Sequence, residues 1–188
     1  MNFEELLKHV TTRDLLKSAS AAGHLPIYLY AYPAEQEDNI AGQIAGFASN
    51  LTKSGITLLH RDLFDVTVEV LKEDGSFDKL IEVEPKRDKY KIVKHISNVA
   101  DVEKVIIPRL INEISGNSAS LLLLSGFGKC YPFLRAKQLI GALEQKVKDF
   151  PVILFFPGTY DGWSLMLFGE LPEHSYRAIN LSGKTFNP

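Results

Sequence analysis

The segment from Leu123 to Cys130, with the sequence LLSGFGKC, comes nearest in this chain to a nucleotide-binding motif. A P-loop reads G-x-x-x-x-G-K-[ST] between a strand and a helix, and its hydroxyl binds Mg²⁺. Gly128 and Lys129 match that pattern, but Leu123 stands at the first glycine and Cys130 at the hydroxyl. Because a thiol is a soft ligand that suits Mg²⁺ poorly, we interpret the segment as a tight turn that requires glycine.

Other residue types that carry chemistry are scattered along the sequence. The five histidines are His9, His24, His60, His95 and His174, and none lies three to five residues from another, so no local zinc-ligand pair is present. The one cysteine, Cys130, is either a packing residue or, beside Lys129, a thiol of lowered pKa. We therefore expect no catalytic residue, no metal and no cofactor, and we predict that the protein is not an enzyme.

A basic run is the second candidate site. It contains Lys86, Arg87, Lys89, Lys91 and Lys94. Ile92, Val93 and Ile96 supply an apolar stripe, so the run is typical of a helix with a solvated basic face. Weak contact with the phosphate backbone of nucleic acid is the alternative interpretation. The whole chain carries a formal net charge of −2, so an overall electrostatic attraction to nucleic acid is excluded.

The third candidate is the aromatic loop from Pro157 to Ser164. It follows a strongly apolar run, and α/β proteins bind ligands at the carboxyl ends of such strands. Tyr160 and Trp163 are of the type that anchors protein interfaces, and Asp161 lies between them. The alternative is an ordinary hairpin turn at Asp161–Gly162.

Short apolar runs alternate with helical patterns along most of the chain. Strands are predicted at residues 27–31, 56–59, 120–124 and 152–156, with helices at 34–51, from 63 after an Asp62 cap, across much of 76–115, and from Pro132 to 147. The last helix turns Ala136, Ile140, Leu143 and Val147 inward. This alternation predicts an α/β fold with a mostly parallel central sheet flanked by helices. A closing pair of strands, at 165–168 and 176–181, is expected to pair antiparallel at one edge.

Length and composition favour one domain. The chain has 188 residues, 45% of them hydrophobic and 23% charged, which fits a single α/β domain over residues 1–188 with an N-terminal helical arm over 1–20. The longest apolar runs are too short to cross a membrane, and the first residues lack a secretory pattern. We therefore expect a cytoplasmic protein that makes no membrane contact.

Two stretches resemble a known family. The sequence from Phe150 to Leu165, continuing through 167–169 to 176–178, is similar to the C-terminal signature of the BrxB family of bacterial bacteriophage exclusion (BREX) systems. The segment from Gly128 to Arg135 resembles the family's aromatic–Pro-Phe-Leu-Arg helix start. The resemblance implies a P-loop-ATPase-like core without working nucleotide motifs. It also implies an accessory role in phage defence.

The partner that the resemblance implies is PglZ, an alkaline-phosphatase-like component, or another BREX component. We hypothesise a non-catalytic interaction protein, with a nucleotide-dependent switch or a nucleic-acid-binding adaptor as alternatives. The side chains predicted to contact the partner are Tyr131, Arg135, Tyr160, Asp161, Trp163 and Arg177.

Overall fold

A computed structural model describes residues 2–12, 27–161, 164–169, 171–173 and 178–182, with only the backbone of 171–173. Part of the predicted arm is a helix, α1 (Phe3–Thr11), which begins with a capping box between Asn2 and Glu5. Residues 13–26 lie outside the described residues.

Helices and strands alternate as the sequence predicts. The strands are β1 (Ile27–Tyr32), β2 (Leu58–Asp62), β3 (Leu121–Ser125), β4 (Val152–Tyr160), β5 (Leu165–Leu167), β6 (Leu171–Glu173) and β7 (Ile179–Asn180). The further helices are α2 (Glu37–Lys53), α3 (Leu63–Glu73), α4 (Phe77–Val83), α5 (Lys89–Val99), α6 (Ile107–Gly116) and α7 (Ala136–Lys146), and a π-helical turn (Val102–Ile106) leads into α6. Strand β2 begins two residues later than predicted, and β4 continues four residues beyond Phe156.

The central sheet has the order β2-β3-β4-β1-β7, and each neighbouring pair on this path is parallel. Ile153 of β4 pairs with Tyr28 of β1 on one side and with Leu123 of β3 on the other. This confirms the predicted α/β architecture with a mostly parallel sheet. All five carboxyl ends therefore point to one edge, called the carboxyl edge below.

The prediction for the last two strands was wrong in its pairing. Ile179 and Asn180 lie parallel to β1 at the edge of the sheet, rather than antiparallel to residues 165–168. Strand β5 instead pairs antiparallel with the end of β4 and with β6. The hairpin was predicted because the two segments are close in the sequence. In the structure Leu181 donates its N–H to the Leu29 carbonyl at 2.7 Å, and this hydrogen bond holds the last segment beside β1 instead.

Helices cover both faces of the sheet. On one face α1 and α2 pack against Tyr28, Leu123 and Phe155, and on the other α3, α6 and α7 pack against Leu29, Leu124 and Leu154. Strand residues Val152 to Phe156 are all 0% exposed, as expected for a central strand covered on both sides.

The sequence predicts the start of α3 correctly and the start of α7 incorrectly. Asp62 caps α3, since its Oδ1 accepts the N–H of Phe64 at 2.9 Å, and this confirms the predicted cap. The prediction that Pro132 lies in the first turn of α7 was wrong. The chain first makes a tight turn, in which Phe133 and Leu134 both donate their N–H groups to the Cys130 carbonyl. Helix α7 starts only at Ala136.

Candidate functional site at the carboxyl edge

A cleft opens at the carboxyl edge between β1, β4 and β7. It has a volume of about 470 Å³, and its walls include Tyr32, Pro33, Glu35, Thr159, Phe168 and Asn180. The chain leaves β1 toward β2 and leaves β4 toward β7, in opposite directions along the sheet. Such a switch point is where open α/β sheets bind ligands, so the topology places the cleft where a functional site is expected.

The turn whose sequence partly matches a P-loop follows β3 and borders this edge. Gly126 has a φ of +71°, and a Cβ atom there would lie 2.1 Å from Asp62 Oδ1. At Gly128 an added Cβ would lie 2.8 Å from Pro157 Cγ. Both glycines therefore meet a steric need of the turn itself, in agreement with the interpretation of this segment as a tight turn.

The Lys129 ammonium is engaged within the protein. Its Nζ donates to Asp62 Oδ2 at 2.9 Å, with 46% of the lysine side chain and 17% of the aspartate side chain exposed. The hydrogen bond to Asp62 raises the pKa of Lys129, and Asp65 and Glu37 add smaller effects in the same direction. A phosphate at this turn would have to compete with the Asp62 carboxylate for the lysine.

Cys130 is a packing residue. Its side chain is 0% exposed, and the thiol donates to the Gly126 carbonyl at 3.3 Å. Burial raises the pKa of the thiol, and the nearby Asp62 carboxylate adds to the rise. The alternative of a lowered pKa beside Lys129 was therefore wrong, because desolvation and Asp62 outweigh the lysine.

Two polar contacts at this edge were not predicted from the sequence. His60 Nε2 lies 2.9 Å from Ser125 Oγ across the β2–β3 pair, and Tyr32 donates its hydroxyl to Glu37 Oε2 at 2.5 Å. In each contact one partner ends a strand, Ser125 in β3 and Tyr32 in β1, whereas His60 lies within β2 and Glu37 begins α2. The sequence could have indicated these contacts through the polar residues that end parallel strands, because those ends share one edge of the sheet.

The His60–Ser125 contact gives a pH-dependent prediction. Burial lowers the pKa of His60 from its ordinary value of 6.5, so below pH 6.5 the unfolded chain binds more protons than the folded one and the free energy of unfolding falls. We expect His60→Gln, whose amide nitrogen can replace Nε2, to reduce this loss. Urea unfolding at pH 7.5 and 5.5 measures it, and an equal loss in wild type and variant would contradict the role of His60.

Tyr131 and Arg135 form a contact on the surface beside the turn. The Arg135 guanidinium carbon lies 4.8 Å from the Tyr131 ring centroid, within the range of a cation–π interaction. The Tyr131 ring meets the Phe168 ring edge to face, with centroids 6.1 Å apart. Since Phe168 also lines the cleft and is 39% exposed, these three side chains form one surface, called the aromatic–arginine patch below.

The aromatic loop is only partly available to a partner. Tyr160 is 4% exposed and donates its hydroxyl to the Ala178 carbonyl at 3.0 Å, so it does not fit the predicted role of an exposed anchor. It is buried because β4 continues through Pro157 and carries Tyr160 into the core. Asp161 is exposed and accepts the N–H of Ser164 at 2.6 Å. The predicted contacts Trp163 and Arg177 lie outside the described residues.

The predicted basic run lies on the surface, away from the lining of the cleft. Lys86 and Arg87 precede α5, and Lys89, Lys91 and Lys94 lie on it; all five are exposed. Asp88 caps the helix by accepting the N–H of Lys91 at 3.2 Å. The helical prediction is confirmed, whereas contact with nucleic acid stays a prediction.

Within the described ranges, no group of three or more His, Cys, Asp or Glu side chains is placed to hold a metal ion. No helix in the same ranges is long and apolar enough to cross a membrane.

These features define an α/β protein with a parallel sheet, a cleft at the switch point, and a glycine turn whose lysine is paired internally. A family model described as "BREX protein BrxB" matches residues 59–181, from β2 to just after β7. The chain belongs to the BrxB family, and the predicted family is confirmed. Membership implies a component of a BREX system.

Two relatives match nearly the whole chain. The chain is 26% identical over 186 residues to the BREX protein BrxB of Bacillus cereus (strain H3081.97), covering 96% of each. It is 23% identical over 182 residues to the BREX protein BrxB of Escherichia coli O9:H4 (strain HS), covering 94% of this chain and 88% of that one. No solved structure gives a significant match.

Proposed function

We propose that this protein is a non-catalytic interaction component of a BREX anti-phage system, and that it binds PglZ through the carboxyl edge. The observation that carries the proposal is the ion pair between Lys129 and Asp62, 2.9 Å long. The lysine that a phosphate-binding turn would use is paired with a side chain of the same protein. The thiol at the Mg²⁺ position is likewise buried and hydrogen-bonded.

The turn after β1 gives further support. We also propose that the fold is similar to the core of P-loop ATPases but has no working nucleotide motif. The parallel strands of the central sheet, and the end of β1 at the switch point, support this similarity. A phosphate-binding turn there would need glycine and lysine before α2. The residues that follow β1 are instead Pro33, Ala34, Glu35 and Gln36. The Glu35 carboxylate lines the cleft and would repel phosphate.

The aromatic–arginine patch is the surface we propose for PglZ. Aromatic side chains and arginine dominate the energetics of protein interfaces. Arg135 is exposed, and its guanidinium is already stacked on Tyr131, so less side-chain entropy is lost when a partner binds. Phe168, which is 39% exposed, joins the patch to the cleft, so a partner side chain can enter the cleft beside the carboxyl ends of β1 and β4.

Binding to the cognate PglZ tests the proposal. We expect the two purified proteins to co-elute at micromolar concentration, and we expect Arg135→Ala to weaken binding at least tenfold, or about 1.4 kcal/mol. Biolayer interferometry measures the dissociation constants. Lys137→Ala removes another exposed basic side chain near the start of α7 and should bind like wild type.

Two results would contradict the proposal. Separate elution of the two proteins would exclude PglZ as the partner. Calorimetric binding of ATP with Mg²⁺ that is lost in Lys129→Ala would instead favour the nucleotide-dependent switch, for which the 470 Å³ cleft is the supporting observation. A cleft of this volume falls within the range of small-molecule sites, about 300–1,000 Å³.

A further inference from the structure

The cleft at the carboxyl edge carries an unpaired negative charge. Among the described residues that line its volume of about 470 Å³, Glu35 is the only Asp, Glu, Lys or Arg. Glu35 is exposed, and its carboxylate has no hydrogen bond or ion pair with any described residue. The lining itself, and not only its surroundings, therefore determines the sign of charge that can enter.

The polar groups beside this carboxylate favour a ligand that donates hydrogen bonds. Tyr32 already donates its hydroxyl to Glu37 Oε2 at 2.5 Å. Burial and this hydrogen bond raise the pKa of Tyr32, so the phenol stays neutral and its proton stays committed. Asn180 likewise uses Nδ2 to donate to the Tyr160 carbonyl at 2.7 Å. The exposed Thr159 hydroxyl makes no hydrogen bond to the described residues and can accept one from a ligand.

Phe168 adds an aromatic wall to the cleft from an unusual backbone conformation. Its φ is +55°, and that of the following Gly169 is +77°. Positive φ at two successive residues is the geometry of a tight hairpin turn, in which Asn, Asp or Gly is preferred. Burial does not explain the bulky side chain there, because it is 39% exposed. Residues held in such conformations cluster at ligand-binding sites, which agrees with a binding role for this ring.

We propose that the cleft receives an arginine or lysine side chain of the protein partner. The cationic group would pair with Glu35, and the face of the Phe168 ring attracts cations. The apolar stem of such a side chain matches the lining supplied by Ala31, Pro33 and Gly158. An anionic group would instead meet the Glu35 carboxylate with no cation in the described lining to offset the repulsion. This inference rests on the proposed function, since it specifies which side chain of the partner enters the cleft.

Arg135 provides the opposite charge on the adjoining surface. It is not among the described residues that line the cleft, and it stacks on Tyr131, whose ring in turn contacts Phe168. A partner would therefore place a basic side chain in the cleft and an acidic one against Arg135. Two neighbouring charges of opposite sign fix the orientation of a partner, because the reversed orientation brings like charges together.

Substitutions of Glu35 test the inference with the cognate PglZ. Glu35→Gln keeps the shape of the side chain and removes its charge, so we expect the affinity measured by biolayer interferometry to fall about tenfold. Glu35→Lys should abolish measurable binding, because two cations would then meet in the cleft. Asp38→Asn is the matched control: it removes an exposed acid three residues away that is not in the described lining, and it should bind within about twofold of wild type. Thermal unfolding verifies that each variant is folded.

Two small probes test the cleft without PglZ. N-acetyl-citrulline amide has nearly the shape of N-acetyl-arginine amide but carries no charge. In a titration of the full-length protein, we expect the arginine probe to shift the amide NMR signals of Thr159, Phe168 and Gly169, which line the cleft. The citrulline probe should leave these signals unchanged, and so should the arginine probe with the Glu35→Gln variant.

The inference and the proposed function fail in different ways. Glu35→Gln binding PglZ as tightly as wild type would overturn the inference and leave PglZ as the partner; with shifts specific to the arginine probe, that result would assign the cleft to a free cationic ligand. Equal shifts with the two probes, or no shift with either, would also overturn it. If wild type does not bind PglZ, the proposed function fails, and shifts specific to the arginine probe would still support a basic side chain from another protein.

Discussion

Phe155→Ala is expected to lower the free energy of unfolding by about 3–5 kcal/mol, the usual cost of removing a large buried aromatic side chain. Phe155 is 0% exposed and lies in β4, with a neighbouring strand on each side. Its ring centroid lies 5.6 Å from that of Tyr30 and 6.0 Å from that of Phe3. The change therefore leaves a cavity and also removes a contact that holds α1 on the sheet.

Urea unfolding measures this loss, and Phe155→Leu is the control. Leucine keeps most of the apolar volume, so we expect that variant to lose less than about 1.5 kcal/mol. Phe3 should become more accessible only in the alanine variant, because α1 contacts the sheet partly through the stacked Phe3 and Phe155 rings. A loss in Phe155→Ala no larger than that in Phe155→Leu would show that the aromatic cluster does not hold α1.

Gly126→Ala is expected to cost about 3 kcal/mol, the second largest effect. The backbone at Gly126 has a φ of +71°, which costs an alanine roughly 1–2 kcal/mol. The added Cβ would also lie 2.1 Å from Asp62 Oδ1, so Asp62 would have to move. That movement would break the cap on α3 and the ion pair with Lys129, and the loss of a cap alone costs about 1 kcal/mol.

Gly46→Ala provides the matched control for this substitution. Gly46 is exposed within α2, and no atom lies within 4 Å of an added Cβ. Alanine is the better helix former by about 1 kcal/mol, so this variant should be more stable than wild type. Equal stability of the two alanine variants in the same urea titration would contradict the steric role assigned to Gly126.

The elements governed by local chemistry could be predicted from the sequence. Asp62 was identified as a cap because a short acceptor side chain precedes an apolar helical pattern. Strands β3 and β4 were visible as apolar runs that end in glycine or proline. The residues of α7 predicted to face inward, including Ala136 and Ile140, are all buried, because helical periodicity alone determines which face packs on the sheet.

The features that depend on distant parts of the chain could not be predicted in the same way. The pairing of Lys129 with Asp62 joins residues 67 positions apart, and it requires β2 and β3 to be adjacent and in register. Strand β7 lies beside β1 through pairs such as Tyr28 with Ile179, whose partners are far apart in the sequence. The burial of Tyr160 depends on β4 continuing through Pro157, although proline usually excludes a residue from a central strand.

The lack of buried side chains in α4 and α5 has a consequence for the distribution of stability in this protein. The free energy of local opening scales with buried contacts, so this helical pair is expected to open at lower cost than the sheet. No residue of either helix is buried, so amide hydrogen exchange should be faster in α4 and α5 than in β3 and β4, which lie in the core.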